Sequence, residues 1–116
     1  MHAEEIPTVH VTELTDAPPG PDGPLLIDVR EPDEWAVGHI AWAVHIPMSD
    51  FLQRVGEVPR DRDIVVVCRS GNRSAAVTAY LNRSGWKARN LVDGMLGWQA
   101  AGRPMVSDTQ APPAVL

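Results

Sequence analysis

Apolar residues in this chain fall into short runs separated by turn-forming residues. The runs alternate between two periods. Leu25-Leu26-Ile27-Asp28-Val29 is a continuous apolar run broken by one aspartate, which is the length and character of a buried parallel strand. Ile64 to Val67 is the most β-branched run and predicts a central strand. Ala88 to Val92 predicts a last strand, and Ala43 to Ile46, closed by Pro47, a short one. Thr8 to Val11 alternate and predict a short edge strand, with Thr12 capping a brief helical turn through Leu14. Between these runs the period changes. Ser74 to Arg83 places Ala76, Val77, Tyr80 and Leu81 at helical spacing, and Gly85 sits where a helix-ending glycine belongs. Glu31 to Val37, with Pro32 in its first turn and Gly38 behind it, predicts a short helix. Ser49 to Arg54 and Met95 to Ala101 predict two more. The stretch from Ala17 to Pro24 is crowded with proline and glycine and reads as a surface loop.

Strands that alternate with short helices predict a single α/β domain with a mostly parallel sheet flanked by helices on both faces. The expected boundaries are an N-terminal segment over 1–7, the domain over 8–102 and a flexible tail over 103–116. In such folds ligands bind beyond the carboxyl ends of the strands. Cys68 lies at one such end, and Asp28 to Arg30 lie at another.

Composition narrows the picture. The 116 residues carry a formal net charge of −5, which argues against a nucleic-acid-binding surface. One cysteine forms no internal disulfide, so a reducing compartment is the simplest reading. The first residues carry acids and no apolar core of a secretory signal, and no apolar run reaches membrane-spanning length. A cytoplasmic monomer is expected.

The informative chemistry lies in Cys68-Arg69-Ser70-Gly71-Asn72-Arg73-Ser74, between the central strand and a helix start. Such a loop turns backbone N–H groups inward, and the helix N-terminus adds partial positive charge. Both favour an anion, and the thiolate is the reactive form of cysteine. The layout predicts a nucleophilic cysteine acting on a sulfur, phosphorus or arsenic centre. Asp28, set in an apolar strand, needs a partner, for which Arg30 and His39 are candidates; all three read as structural support. The four histidines show no ligand spacing, so a metal site is not expected. Trp35, Trp86 and Trp98 read as packing residues.

Several motifs together resemble the rhodanese (sulfurtransferase) domain. They are Leu26-Ile27-Asp28-Val29-Arg30-Glu31, then Glu34, Gly38-His39-Ile40 and His45-Ile46-Pro47, then Val67 to Ser74, then Asn90-Leu91, Gly94 and Trp98. They cover about residues 8 to 102 in the family's order. The resemblance implies that Cys68 accepts a sulfane sulfur as a persulfide and passes it to a thiophilic acceptor: cyanide, a thiol or a sulfur-carrier protein. It implies Arg69, Ser70, Gly71, Asn72, Arg73 and Ser74 as the substrate-binding loop, with Arg69 and Arg73 attracting an anionic donor such as thiosulfate. It implies no cofactor. Two positions depart from the family pattern. Trp42 stands where a small residue is usual, and Asp93 stands where the first of two glycines is usual.

Three alternatives remain beside a general sulfurtransferase. One is a dedicated protein-to-protein sulfur relay. Another is a phosphatase or arsenate reductase on the same fold, disfavoured for phosphate because the Cys-x4-Arg loop is one residue shorter than the phosphatase Cys-x5-Arg. The third is a non-enzymatic binding module, disfavoured by the intact cysteine loop.

Overall fold

The computed structural model describes residues 6–116, so residues 1–5 of the expected N-terminal segment lie outside the described residues. Five strands form one parallel sheet in the order β1-β5-β4-β2-β3: β1 Thr8–Val9, β2 Leu25–Asp28, β3 Val44–His45, β4 Asp63–Val67 and β5 Lys87–Leu91. Four α-helices accompany them: α1 Pro32–Val37, α2 Phe51–Arg54, α3 Asn72–Arg83 and α4 Gly94–Ala100. The α/β reading of the sequence therefore holds, with strand centres as predicted and ends moved by one or two residues.

The pleat of β4 explains the two-sided core. Successive side chains of a strand point to opposite faces. Ile64, Val66 and Cys68 enter one apolar cluster with Ile27, Phe51, Val77, Leu81 and Trp86. Val65 and Val67 enter the other with Val9, Leu26, Leu91, Met95 and Trp98. Thus α2 and α3 cover one face, and α4 covers the other. The register sets Asp28 opposite Val67, so the carboxyl ends of β2 and β4 lie side by side.

Three local expectations change. The edge strand stops at Val9 because Val11–Glu13 forms a single 3-10 turn. His10, not Thr12, begins that turn, and the Glu13 carboxylate accepts its N–H at 2.9 Å. Ser49 caps no helix; its hydroxyl donates to Glu31 at 2.9 Å, and the 3-10 turn Met48–Asp50 leads into α2. Residues 103–116 run along the surface of the domain. Val106 exchanges two backbone hydrogen bonds with His39, and the Ala114 N–H donates to Val37 O. The Trp98 indole N–H donates to Pro104 O at 2.8 Å, tying the start of this stretch to the core. Trp42 fills space on the same side, edge-on to Trp98 at 6.4 Å between ring centroids.

Asp28 and Arg30 form the ion pair that the apolar strand required. Both side chains are 0% exposed. The guanidinium bonds the carboxylate through Nε and Nη2 at 2.8–3.1 Å, and the Arg30 backbone N–H adds a bond at 3.0 Å. Its remaining N–H groups donate to Gly38 O at 2.7 Å and Glu34 O at 3.4 Å. His39 is not the partner of Asp28. It donates Nδ1–H to Trp35 O at 2.7 Å and stacks on the Trp35 indole, which also stacks on His45. A buried charge that loses its partner is costly. Arg30→Met is expected to destabilise the domain by about 3–5 kcal/mol. Asp28→Leu added to it should recover part of the loss, read from urea unfolding midpoints.

Candidate active site

The site is made where β4 meets α3. Cys68 follows the last residue of β4, and four residues later α3 is under way. The turn depends on two glycines. Gly71 has φ of 100°, and a Cβ there would meet Val92 O at 2.6 Å. Gly94 has φ of 62°, and a Cβ there would stand 2.4 Å from Arg69 O. This close approach lets the first turn of α4 serve the loop. Met95 N–H donates to Cys68 O at 2.8 Å, and Leu96 N–H donates to Arg69 O at 3.0 Å. Asp93, the unusual residue beside Gly94, has an ordinary φ of −82° and needs no glycine.

The loop places donors on the sulfur. Gly71 N–H donates to Cys68 Sγ at 3.1 Å and Ser74 N–H at 3.4 Å, and the Ser74 hydroxyl lies 3.2 Å away. Burial, the largest single influence, pushes the thiol up. The Ser74 hydroxyl and the N–H groups of Ser74, Gly71 and Ser70 outweigh it, and the net shift is below the ordinary cysteine value. The amino end of α3 adds its partial positive charge in the same direction. Cys68 itself is 1% exposed, whereas Arg69, Ser70 and Asn72 face solvent. A sulfur so placed can be an anion without a full counter-charge in contact.

The two arginines have other partners. Arg73 grips Glu34 of α1 with two bonds, at 2.7 and 2.9 Å. That bidentate bond is the main reason the Glu34 carboxyl is lowered from 4.5 to about 2. Glu34 in turn holds Arg73 above its usual range. Arg69 turns the other way, its Nε donating to Leu116 O at 2.6 Å. Of the expected loop residues, then, Gly71 and Ser74 meet the sulfur directly and Ser70 contributes its backbone N–H, while the side chains of Arg69, Ser70 and Asn72 lie at the surface. Asp28, Arg30 and His39 sit apart from it, in the frame around α1.

Two further residues contribute to the site through pairings that no local sequence pattern reveals. Glu34 was visible in the motif, but its pairing with a residue 39 positions away was not. Asn90 was also visible, and the signal was its polarity on the strand face shared with Ala88. Its amide donates to Gly71 O at 3.1 Å and its carbonyl meets the Ser74 hydroxyl at 2.5 Å.

Comparison with known proteins agrees with this geometry. A family model described as the rhodanese-like domain matches residues 11–101. The chain is 40% identical over 105 residues to the Bacillus subtilis protein YtwF, covering 90% of this chain and 98% of that one. It is 43% identical over 84 residues to a sulfurtransferase of Allochromatium vinosum, covering 72% of this chain and 78% of that one. Among solved structures, a rhodanese-related protein from Thermoplasma volcanium matches with a TM-score of 0.78 and 30% identity, over 86% of this chain and 97% of the other.

Two outcomes follow from the electrostatics. The pH dependence of Cys68 alkylation should show a midpoint below that of an ordinary cysteine, and Ser74→Ala should raise it by about one pH unit. A carboxyl with a lowered pKa stabilises the fold above its unfolded value and loses that contribution as pH falls through its folded value. The stability gap between wild type and Glu34→Gln should therefore be full above about 4.5 and close as pH falls toward about 2, measured by urea unfolding.

Proposed function

The chain belongs to the rhodanese-like domain family, and from that premise we propose that it is a sulfurtransferase that carries sulfane sulfur as a persulfide on Cys68. The observation that carries this reading is the set of hydroxyl and N–H donors around a buried sulfur at the β4–α3 junction. The Cys68 thiolate attacks the outer sulfur of thiosulfate or of a persulfide. A new S–S bond forms. The donor's S–S bond breaks, and its electron pair leaves on sulfite or on a thiolate. The outer sulfur of the enzyme persulfide now bears the negative charge, in reach of the loop that held the thiolate. An acceptor (cyanide, a thiolate or a carrier protein) then attacks that sulfur, and Cys68 leaves as the thiolate. Covalent transfer in two half-reactions gives ping-pong kinetics.

A relay fed by persulfides is the second reading, and the arginines favour it. Thiosulfate carries two negative charges and no thiol. Arg73 is already paired with Glu34 and Arg69 with Leu116, so an oxyanion would have to compete for either. A persulfide donor makes no such demand.

Intact mass separates the readings. Brief incubation with thiosulfate should add one sulfur atom to wild type and none to Cys68→Ser, and cyanide should remove it. Labelling by a persulfide donor but not by thiosulfate would select the relay. Labelling by neither would reject sulfur transfer through Cys68.

A further inference from the structure

The hydrogen bonds around Ser74 contain a conflict. The Asn90 amide is fixed in orientation, because Gly71 O only accepts and therefore must face Nδ2 at 3.1 Å. That leaves Asn90 Oδ1, an acceptor, 2.5 Å from the Ser74 hydroxyl. Ser74 has a single hydroxyl proton. The Cys68 sulfur, 3.2 Å from the same oxygen, has a claim on it whenever the sulfur is ionised. Ser74 is 0% and Asn90 4% exposed, which places the contest away from bulk water.

We propose that Asn90 is a positioning residue of this site: its side-chain carbonyl competes with the Cys68 sulfur for the one proton of the Ser74 hydroxyl. With the thiol protonated, the chain of donors runs one way, from Cys68 S–H to Ser74 Oγ and from Ser74 O–H to Asn90 Oδ1. When the sulfur loses its proton, Ser74 turns its own toward the sulfur and leaves Asn90 Oδ1 buried without it. An unmet buried acceptor is a cost, so Asn90 works against the thiolate that the loop N–H groups favour. Once the inner sulfur is bonded to a second sulfur, its charge has moved outward and the Ser74 proton returns to Asn90. The amide thus acts through Ser74 on a sulfur that it does not touch. Through Nδ2 it also holds the Gly71 carbonyl, and with it the loop.

The charged groups around Cys68 bear on the same equilibrium. Arg73 of α3 faces it, with Glu34 of α1 bound to that guanidinium and Asp28 at the end of β2 bound to Arg30. None of these contacts the Ser74 hydroxyl, so a substitution at Asn90 leaves them in place.

This inference deepens the persulfide reading, but its test needs no sulfur transfer. The thiolate is titrated by ultraviolet absorbance, as the difference from Cys68→Ser, in the full chain. Asn90→Leu removes the competing acceptor at similar size. The midpoint should fall by about one pH unit as Ser74 is released to the sulfur. In a Ser74→Ala background the same substitution should no longer lower the midpoint. A residue that only holds the loop would do the opposite: losing it loosens the N–H donors and raises the midpoint. A rise, no change, or an equal fall without Ser74 would overturn the proposal. Should Asn90→Leu fail to fold, Asn90→Asp supplies the test. Its carboxylate holds the Ser74 proton more strongly, so the midpoint should rise, and rise more with Ser74 present than in Ser74→Ala. Equal rises in the two backgrounds would overturn the proposal as well. Loss of sulfur labelling in wild type with these shifts intact would count against the persulfide reading alone.

Discussion

The buried pair of Asp28 and Arg30 is the interaction on which the rest of the site rests. A charge in an apolar strand end is tolerable only with a partner and with its remaining hydrogen-bonding capacity filled. Asp28 occupies one side of the guanidinium. The other side needs carbonyl oxygens, and those come from Glu34 and Gly38. The six-residue helix α1 is too short to be stable by itself, and this demand fixes its place. With α1 fixed, the Glu34 carboxylate lies where Arg73 can reach it, at the start of α3. The pair at the end of β2 thereby orients the helix that follows Cys68 without touching the sulfur.

Around the sulfur the physical balance is between burial and donors. Exclusion of water opposes the thiolate, and directed N–H and O–H groups favour it. Such a site does not require a contacting cation. This explains how Arg73 can be committed to Glu34 and Arg69 to the end of the described chain while the thiol is still shifted downward. The arginine charges are paired off by Glu34 and Leu116, and the thiol is tuned by different groups, the loop donors and the Ser74 hydroxyl.

The sequence made much of this legible, for identifiable reasons. The β-branched run at Ile64 to Val67 and the helical spacing of Ala76, Val77, Tyr80 and Leu81 are local patterns, and local patterns survive folding. The cysteine at a strand end followed by a glycine loop is also local. Long-range pairings were not legible. Nothing near Arg73 reveals that Glu34 comes to meet it, and nothing near Ser74 reveals Asn90. His39 is not the partner of Asp28 because its ring is held by Trp35, through a stacked contact and a bond to the Trp35 carbonyl that no local pattern encodes. Residues 103–116 hold three prolines and no periodic apolar pattern, so the sequence predicts no regular element there. Their backbone contacts with Val37 and His39 come from the shape of the surface they cross, which no run of residues encodes.

The pleat of β4 has an evolutionary corollary. Cys68 shares a face with Ile64 and Val66, and Val65 and Val67 face the other core. Inserting or deleting a single residue within this run would exchange the two sets and turn the thiol toward α4. A change of two residues would preserve the facing and shift only the depth. The lineage of such a domain is therefore constrained by parity: length variation can accumulate in its loops, whereas the central strand can change length only by even steps and still deliver its cysteine to α3.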